Sequence, residues 1–224
     1  MLVGLLLNMK IIEGLRVELD EQAANLIYKR MEELLLEKEY VVLGVVGGRS
    51  VSGIYSKLSE KNMDWQRVKI FIADERLIGI DSEVSNYSVV SRSLPKESIV
   101  PFIYTRDIGG DLEGYRKELE KFGGKFDILI LSSGEDGHIA GLFPDHETIR
   151  DEGGLFISTF SCPKDPPERM SSSKKLLLKS EFSVLVFYGD SKKEAFDKFN
   201  QEGDIENCPN RLVKKINESY VFKD

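Results

Sequence analysis

The sequence predicts a three-layer α/β/α sandwich with a mainly parallel sheet. Apolar, β-rich runs alternate with stretches of helical periodicity along most of the 224 residues, and this alternation is typical of parallel strands joined by helices. The apolar runs are nearly continuous, as expected for strands that are covered on both faces. Because no repeat, low-complexity tract or linker interrupts the pattern, we expect a single domain over residues 1–224.

The strands are predicted from short runs rich in Val, Ile, Leu and Phe. The first run includes the apolar start of the chain, and we expect it to form a buried strand. The predicted strands are 3–12, Tyr40–Val46, Val68–Ala73, Ile99–Tyr104, Phe126–Leu131, Leu155–Thr159, Phe182–Tyr188 and Ser219–Phe222.

The clearest predicted helix is Asp20–Glu37, because apolar residues recur three and four positions apart with charges between them. Asp20 is expected to be its N-cap. Further helices are predicted at Val51–Glu60, Ser85–Leu94, Leu112–Phe122 and Ser191–Asn200. Residues 144–173 contain several prolines and a serine run, and we expect an irregular loop that is mobile or folds over a substrate.

Composition excludes several classes of protein. Hydrophobic residues make up 41% and charged residues 31%, which is typical of a globular protein rather than a disordered one. A formal charge of −7 without a basic stripe argues against nucleic acid and anionic membranes as partners.

The apolar start lacks a basic lead-in and a cleavage site and is too short to span a bilayer. Cys162 and Cys208 have no metal-ligand spacing, so we expect reduced thiols in a cytoplasmic protein.

The segment Gly134–Pro144 directly follows a predicted strand, so it is expected at the carboxyl edge of the sheet, where ligands bind in open α/β folds. It contains His138, one of the two histidines in the chain. We expect His138 to transfer protons, because imidazole titrates near neutral pH. Asp136 is expected to orient its ring, and the amides of Gly134 and Gly137 are expected to stabilise an oxyanion.

Other polar segments also follow predicted strands. The turn Gly47–Ser50 places a glycine pair before a helix, where backbone amides can bind an anion. The charged residues Asp74–Arg76 are expected at the same edge of the sheet. Lys192 lies near the start of a predicted helix, where it could bind a phosphate. The second histidine, His146, lies in a polar loop, and we expect it to be exposed and incidental to any chemistry.

In this order and at these spacings, the segments resemble the 6-phosphogluconolactonases, which belong to a larger group that includes the glucosamine-6-phosphate deaminases. The resemblance covers nearly the whole chain. It implies a NagB/RpiA-like α/β/α sandwich that needs no metal and no redox cofactor. The segments that carry it are Gly47-Gly-Arg-Ser50, Asp74-Glu-Arg76, Ser85-Asn-Tyr87, Gly134-Glu-Asp-Gly-His138, Leu142-Phe-Pro144, Pro167-Glu-Arg169, and Gly189 with Lys192.

The same resemblance implies a function and roles for residues. The expected reaction is hydrolysis of 6-phospho-D-glucono-1,5-lactone to 6-phosphogluconate in the oxidative pentose phosphate pathway. His138 matches the histidine thought to activate water, and Asp74 and Arg76 match a loop that we expect to take part in catalysis. The partner is a small phosphorylated sugar lactone, and we expect a monomer or a small homo-oligomer. The expected substrate- and phosphate-binding residues are Gly47, Gly48, Arg49, Ser50, Gly137, Arg169 and Lys192.

Some residues depart from the pattern of the lactonases and leave two alternatives open. Val51 replaces a proline that stiffens the helix start, while Ile139 and Gly141 replace the usual Thr and Ser. Ile139 with Ala140 is closer to the deaminases, although Arg76 and the Leu-Phe-Pro sequence favour the lactonases. The first alternative is therefore a glucosamine-6-phosphate deaminase/isomerase. The second is a non-catalytic sugar-phosphate sensor.

Overall fold

A computed structural model describes residues 8–224 of the chain. Within these residues, seven strands form one sheet: β1 (Asn8–Glu13), β2 (Val41–Val45), β3 (Val68–Ile72), β5 (Ile99–Val100), β6 (Ile128–Ser132), β9 (Phe182–Phe187) and β10 (Glu218–Lys223). Their order in the sheet is β1-β10-β9-β6-β2-β3-β5, and every neighbouring pair is parallel. The central strands β2 and β9 are buried along their whole length.

Helices cover both faces of this sheet, which confirms the predicted three-layer α/β/α sandwich. The helices are α1 (Arg16–Leu35), α2 (Arg49–Ser59), α3 (Asn86–Val90), α4 (Ile108–Glu120), α5 (Glu147–Arg150), α6 (Lys174–Leu177) and α7 (Lys193–Asn200). Short 3-10 helices lie at Trp65–Arg67, Lys96–Ser98, Asp190–Lys192 and Pro209–Lys215. No helix within residues 8–224 is both long and apolar enough to cross a membrane.

A second, smaller sheet lies in the described part of the chain and was only partly predicted. It consists of β4 (Asp74–Arg76), β8 (Arg169–Ser172) and β7 (Phe156–Thr159), and both pairs are antiparallel. The predicted strand Leu155–Thr159 is confirmed as β7, but the expectation of an otherwise irregular loop over residues 144–173 is wrong. The segment contains α5, β7 and β8, and the hydroxyl of Ser173 caps α6 by accepting a hydrogen bond from the amide of Leu176.

The first and fourth strand predictions need correction. Residues 8–13 form β1, but the strand is almost entirely exposed, because it lies at the edge of the sheet beside β10 alone. Residues 3–7 of that prediction lie outside the described residues. The run Ile99–Tyr104 forms a strand over Ile99–Val100 only.

Helix α1 begins at Arg16, four residues before the predicted start. Asp20 is not the N-cap: it lies inside the helix, is 8% exposed, and forms an ion pair with Arg16 at 2.9 Å between Oδ2 and Nε. An acidic residue at the start of an apolar pattern is typical of a cap. Here its carboxylate holds the preceding arginine instead.

Candidate active site

A cavity of about 540 Å³ opens at the carboxyl ends of four adjacent strands, β9, β6, β2 and β3. The loops that follow these strands bring together residues from distant parts of the chain. Apart from Asp136 and Gly137, every candidate site residue from the sequence lies on its wall. The lining residues are Arg16, Val46, Gly47, Gly48, Arg49, Ser50, Asp74, Arg76, Asn86, Ser132, Ser133, Gly134, Glu135, His138, Ala140, Arg169, Tyr188, Ser191 and Lys192.

The turn after β2 presents backbone amides to the cavity. Gly48 has a φ of 117°, which favours glycine, and it immediately precedes the first residue of α2. A Cβ atom on Gly47 would lie 2.2 Å from Oδ1 of Asn86, so this position also needs glycine. The first amides of α2 have no acceptor within the helix. The turn can therefore bind an anion with the amides and the hydroxyl of Ser50.

The small sheet places Arg169 beside Asp74 and Arg76. Strand β8 pairs with β4 so that Arg169 lies opposite Arg76 and Ser171 lies opposite Asp74. Arg169 is 6% exposed, and its Nη1 lies 3.7 Å from Oδ2 of Asp74. The Nε and Nη2 atoms of Arg169 donate to the carbonyls of Pro166 and Asp165 at 3.1 and 3.0 Å. Nη1 is thus the nitrogen of this guanidinium that stays available to a ligand.

Glu75, between the two candidate residues, has a structural role. Its buried carboxylate accepts the amides of Arg76, Asn86 and Tyr87 at 2.7 to 2.8 Å. Burial raises the pKa of Glu75, and these amide hydrogen bonds oppose the rise. The contacts fix Asn86 against the cavity, and its Nδ2 donates to the carbonyl of Asp74 at 2.6 Å.

His138 lines the cavity and forms a hydrogen-bonded pair with Asp136. Nδ1 of the histidine lies 2.5 Å from Oδ1 of the carboxylate, and the two side chains are 22% and 31% exposed. Burial alone would raise the pKa of Asp136, but the hydrogen bond and the attraction of His138 together lower this pKa to about 2. An ionised carboxylate only accepts hydrogen bonds. Nδ1 of a neutral ring therefore carries the proton, and Nε2 can accept one.

The buried ring of Phe143 lies between His138 and Arg169. Its centroid is 4.6 Å from the centroid of the His138 ring and 5.9 Å from the guanidinium carbon of Arg169. Phe143 therefore packs against the imidazole of His138 and also contacts the guanidinium of Arg169.

The predicted oxyanion donors are not available. The amide of Gly134 donates to the carbonyl of His138 at 2.7 Å, and the amide of Gly137 donates to the carbonyl of Gly134 at 3.1 Å. Gly137 does not line the cavity and has a φ of 92°, so its glycine is needed for the turn. The prediction of free amides is wrong because the turn closes on itself.

Asn210, which is fully buried, holds the turn that carries His138 through hydrogen bonds. The amide of Asn210 donates to the carbonyl of Gly137 at 2.9 Å, and its Nδ2 donates to Oγ of Ser133 at 3.1 Å. Ser133 in turn donates to the carbonyl of Gly134. The 3-10 helix at Pro209–Lys215 thus fixes both ends of the turn.

The second histidine is half-buried rather than exposed. His146 is the N-cap of α5, where its Nδ1 accepts the amide of Thr148 at 3.3 Å. Its Nε2 lies 3.2 Å from the carbonyl of Ser161. It does not line the cavity, and in this position it stabilises the start of a helix.

Lys192 ends the 3-10 helix that precedes α7 and faces the same cavity. Burial lowers the pKa of Lys192, while the nearby carboxylates of Glu135 and Asp136 oppose this shift and Lys164 adds to it. A partly desolvated ammonium gains more from an anionic ligand than an exposed one does.

Arg16 and Tyr188 line the cavity but were not selected from the sequence, and Asn86 was noted only as part of a motif. Arg16 precedes the predicted helix and Tyr188 ends an apolar strand, so neither has a local signal of function. The position of Tyr188 at the carboxyl end of a central strand was the available clue.

The residues that depart from the expected pattern fit the packing. A Cβ atom on Gly141 would lie 2.7 Å from Cβ of Ser171, whose hydroxyl accepts the amide of Gly141 at 3.0 Å. Ile139 is fully buried, and so is Val51 in the first turn of α2. In residues 8–224, no group of three or more His, Cys, Asp and Glu side chains could hold a metal ion.

Comparison with known proteins gives a consistent match. A sequence model described as glucosamine-6-phosphate isomerases/6-phosphogluconolactonase matches residues 16–222. The chain is 31% identical to a 6-phosphogluconolactonase of Borreliella burgdorferi over 79% of this chain and 80% of that protein. It is 30% identical to a 6-phosphogluconolactonase of Thermotoga maritima over 74% of this chain and 77% of that protein.

Solved structures share the fold over nearly the full length. A 6-phosphogluconolactonase from Thermotoga maritima superposes with a TM-score of 0.84 and 25% identity, covering 96% of this chain and 98% of that one. A monomeric glucosamine-6-phosphate deaminase also superposes, with a TM-score of 0.82 and 20% identity over 96% and 97% of the two chains. The fold is therefore common to both activities and does not distinguish them.

Proposed function

Because the chain belongs to the family of glucosamine-6-phosphate isomerases and 6-phosphogluconolactonases, we propose that it hydrolyses 6-phospho-D-glucono-1,5-lactone to 6-phosphogluconate. This reaction belongs to the oxidative pentose phosphate pathway. The proposal takes its substrate from the 6-phosphogluconolactonases to which the chain is similar. The observation that carries it is the His138–Asp136 pair in a cavity that is also lined by Gly47–Ser50, Arg169 and Lys192.

His138 acts as the general base in this proposal. Nε2 removes a proton from a water molecule as the water oxygen attacks C1 of the lactone, and the carbonyl oxygen becomes an oxyanion. When the carbonyl re-forms, the bond from C1 to the ring oxygen breaks, and His138 returns the proton to that oxygen. The product is an open-chain acid that ionises. Asp136 keeps Nδ1 protonated and stabilises the imidazolium that forms between the two steps.

The positively charged side chains bind the phosphate and stabilise the oxyanion. The turn Gly47–Ser50 and Lys192 bind the phosphate, together with Nη1 of Arg169. Since the amides of Gly134 and Gly137 are occupied, the oxyanion is stabilised by the positive potential of the arginines on the cavity wall, with Arg76 as the candidate on β4. Asp74 fixes Arg169 through their contact at 3.7 Å.

Two activity measurements and one binding measurement separate this function from the alternatives. We expect the protein to accelerate the disappearance of freshly generated 6-phospho-D-glucono-1,5-lactone and to release no ammonia from glucosamine 6-phosphate. Ammonia release at a comparable kcat/KM would identify a deaminase instead. Tight binding of the lactone without acceleration over spontaneous hydrolysis would identify a sensor.

A further inference from the structure

Arg16 is the first residue of α1, and its guanidinium is held at several points. Nη2 donates to the carbonyls of Arg49 and Ser50 at 3.1 and 2.8 Å. Nε donates to Oδ2 of Asp20 at 2.9 Å. The guanidinium carbon lies 4.1 Å from the centroid of the Tyr188 ring, a distance at which a cation is attracted to an aromatic face. The side chain of Arg16 is therefore fixed although it is 35% exposed.

Asp20, the carboxylate that pairs with Arg16, is buried with one oxygen unpaired within residues 8–224, which is energetically unfavourable. Asp20 is 8% exposed, and its Oδ1 has no hydrogen-bond partner among the described residues. Burial raises the pKa of Asp20, and the hydrogen bond to Arg16 opposes this rise. The packing also requires glycine at position 53, because a Cβ atom there would lie 2.0 Å from Oδ2 of Asp20. A side chain that is locked by buried partners in this way is typical of a positioned functional group.

The remaining edge of the guanidinium is available to a ligand. Arg16 lines the cavity beside the turn Gly47–Ser50 and Lys192. No acceptor in residues 8–224 binds Nη1 of Arg16, whereas Nε and Nη2 are both engaged. Tyr188 lines the same wall, and its buried hydroxyl has no partner among the described residues either. Nη1 of Arg16, packed beside the Tyr188 ring, is thus an unused donor on one side of the anion-binding turn.

We propose that Arg16 binds the phosphate of the substrate through Nη1, while Nη2 holds the phosphate-binding turn from the outside. This inference rests on the proposed function for the identity of the substrate. The contact of Nη2 with the turn also has a consequence for position 51. A proline at this position would stiffen the helix start, but this chain has Val51, and Arg16 can restrain the turn instead. Arg16 ties the carbonyls of the first two residues of α2 to α1 and so restrains the same backbone.

The test measures phosphate binding and catalysis separately in Arg16→Met and in Arg16→Gln, which keeps a donor for the carbonyls. Arg30→Met is the matched control, because Arg30 lies on the same helix and pairs with Glu33 outside the cavity. We expect both Arg16 variants to raise KM for the phosphorylated lactone by roughly 10- to 100-fold, as for the loss of a charge-assisted hydrogen bond. The inhibition constant of inorganic phosphate should rise equally, and kcat should change far less.

D-glucono-1,5-lactone, which lacks the phosphate, supplies the second comparison. Its kcat/KM should be the same in wild type and both Arg16 variants. An inhibition constant for phosphate within twofold of wild type in Arg16→Gln would overturn the proposal, and so would an equal loss of kcat for both lactones. If the wild type failed to hydrolyse either lactone, calorimetry with inorganic phosphate would still decide: Arg16-dependent binding would support the inference while the proposed function failed.

Discussion

At the scale of single residues, Arg169 has a divided role that matters for interpreting its mutation. Part of its guanidinium holds the carbonyls of residues 165 and 166, and Nη1 lies near Asp74. We expect Arg169→Ala to raise KM for the phosphorylated lactone by roughly 10- to 100-fold, since hydrogen bonds to charged groups are strong. Steady-state kinetics would measure this.

The control for Arg169 is Arg150→Ala, because Arg150 is an exposed arginine that pairs with Glu206 away from the cavity. Arg150→Ala should leave KM unchanged. An unchanged KM in Arg169→Ala as well would remove Arg169 from the phosphate site.

The lowered pKa of Lys192 leads us to expect that substrate binding depends on pH. Burial lowers its pKa, so its ammonium loses the proton at a lower pH than an exposed lysine does, and the attraction for phosphate is lost on the alkaline side. KM should therefore rise on the alkaline side, beginning at a lower pH than an exposed lysine would impose. Lys192→Arg keeps the charge at every accessible pH and should flatten this rise. The same alkaline increase of KM in both proteins would assign the titration to another group.

At the scale of elements, the sequence predicted the sites that follow a long apolar strand. The turns after β2, β3, β6 and β9 were recognised because nearly continuous apolar runs end in glycine or charged residues. Strands β4 and β8 were missed, because they are short and rich in charged residues and serine, without an apolar pattern. Their pairing is what brings Arg169 beside Asp74, and no local signal reveals a contact between segments so far apart.

The 3-10 helix at Pro209–Lys215 gives a prediction about positioning. Asn210→Ala removes the side-chain bond to Ser133 behind the His138 turn and should lower kcat about 10-fold or more with KM nearly unchanged, because small misplacements of a base are costly. Asn207→Ala, which removes an exposed partner of Arg211 in the same region, is the control. Equal kcat values in the two variants would show that the hydrogen bond between Asn210 and Ser133 has no effect on catalysis.

At the scale of the whole molecule, net charge and local charge have opposite signs. The chain carries −7 in total, yet Arg16, Arg49, Arg76, Arg169 and Lys192 all line one cavity. The net charge predicts no polyanionic partner, and it does not reveal this cluster, because the five cations come from distant segments. The fold alone also leaves the chemistry open, since a lactonase and a deaminase both superpose on the chain.

The central claim is that His138 activates water for lactone hydrolysis in this cavity. It is tested most directly by progress curves with freshly generated 6-phospho-D-glucono-1,5-lactone, corrected for spontaneous hydrolysis, for wild type, His138→Asn and His146→Asn. Asparagine is a good N-cap, so the second variant should keep α5 intact and serves as the control.

Wild type and His146→Asn should accelerate the reaction to a similar extent, because His146 lies outside the cavity. His138→Asn should lower kcat by roughly 10²–10⁴ with a modest change in KM, as for the loss of a general base. Full activity in His138→Asn, or an equal loss in both variants, would contradict the assignment and leave a carboxylate such as Asp74 to activate the water.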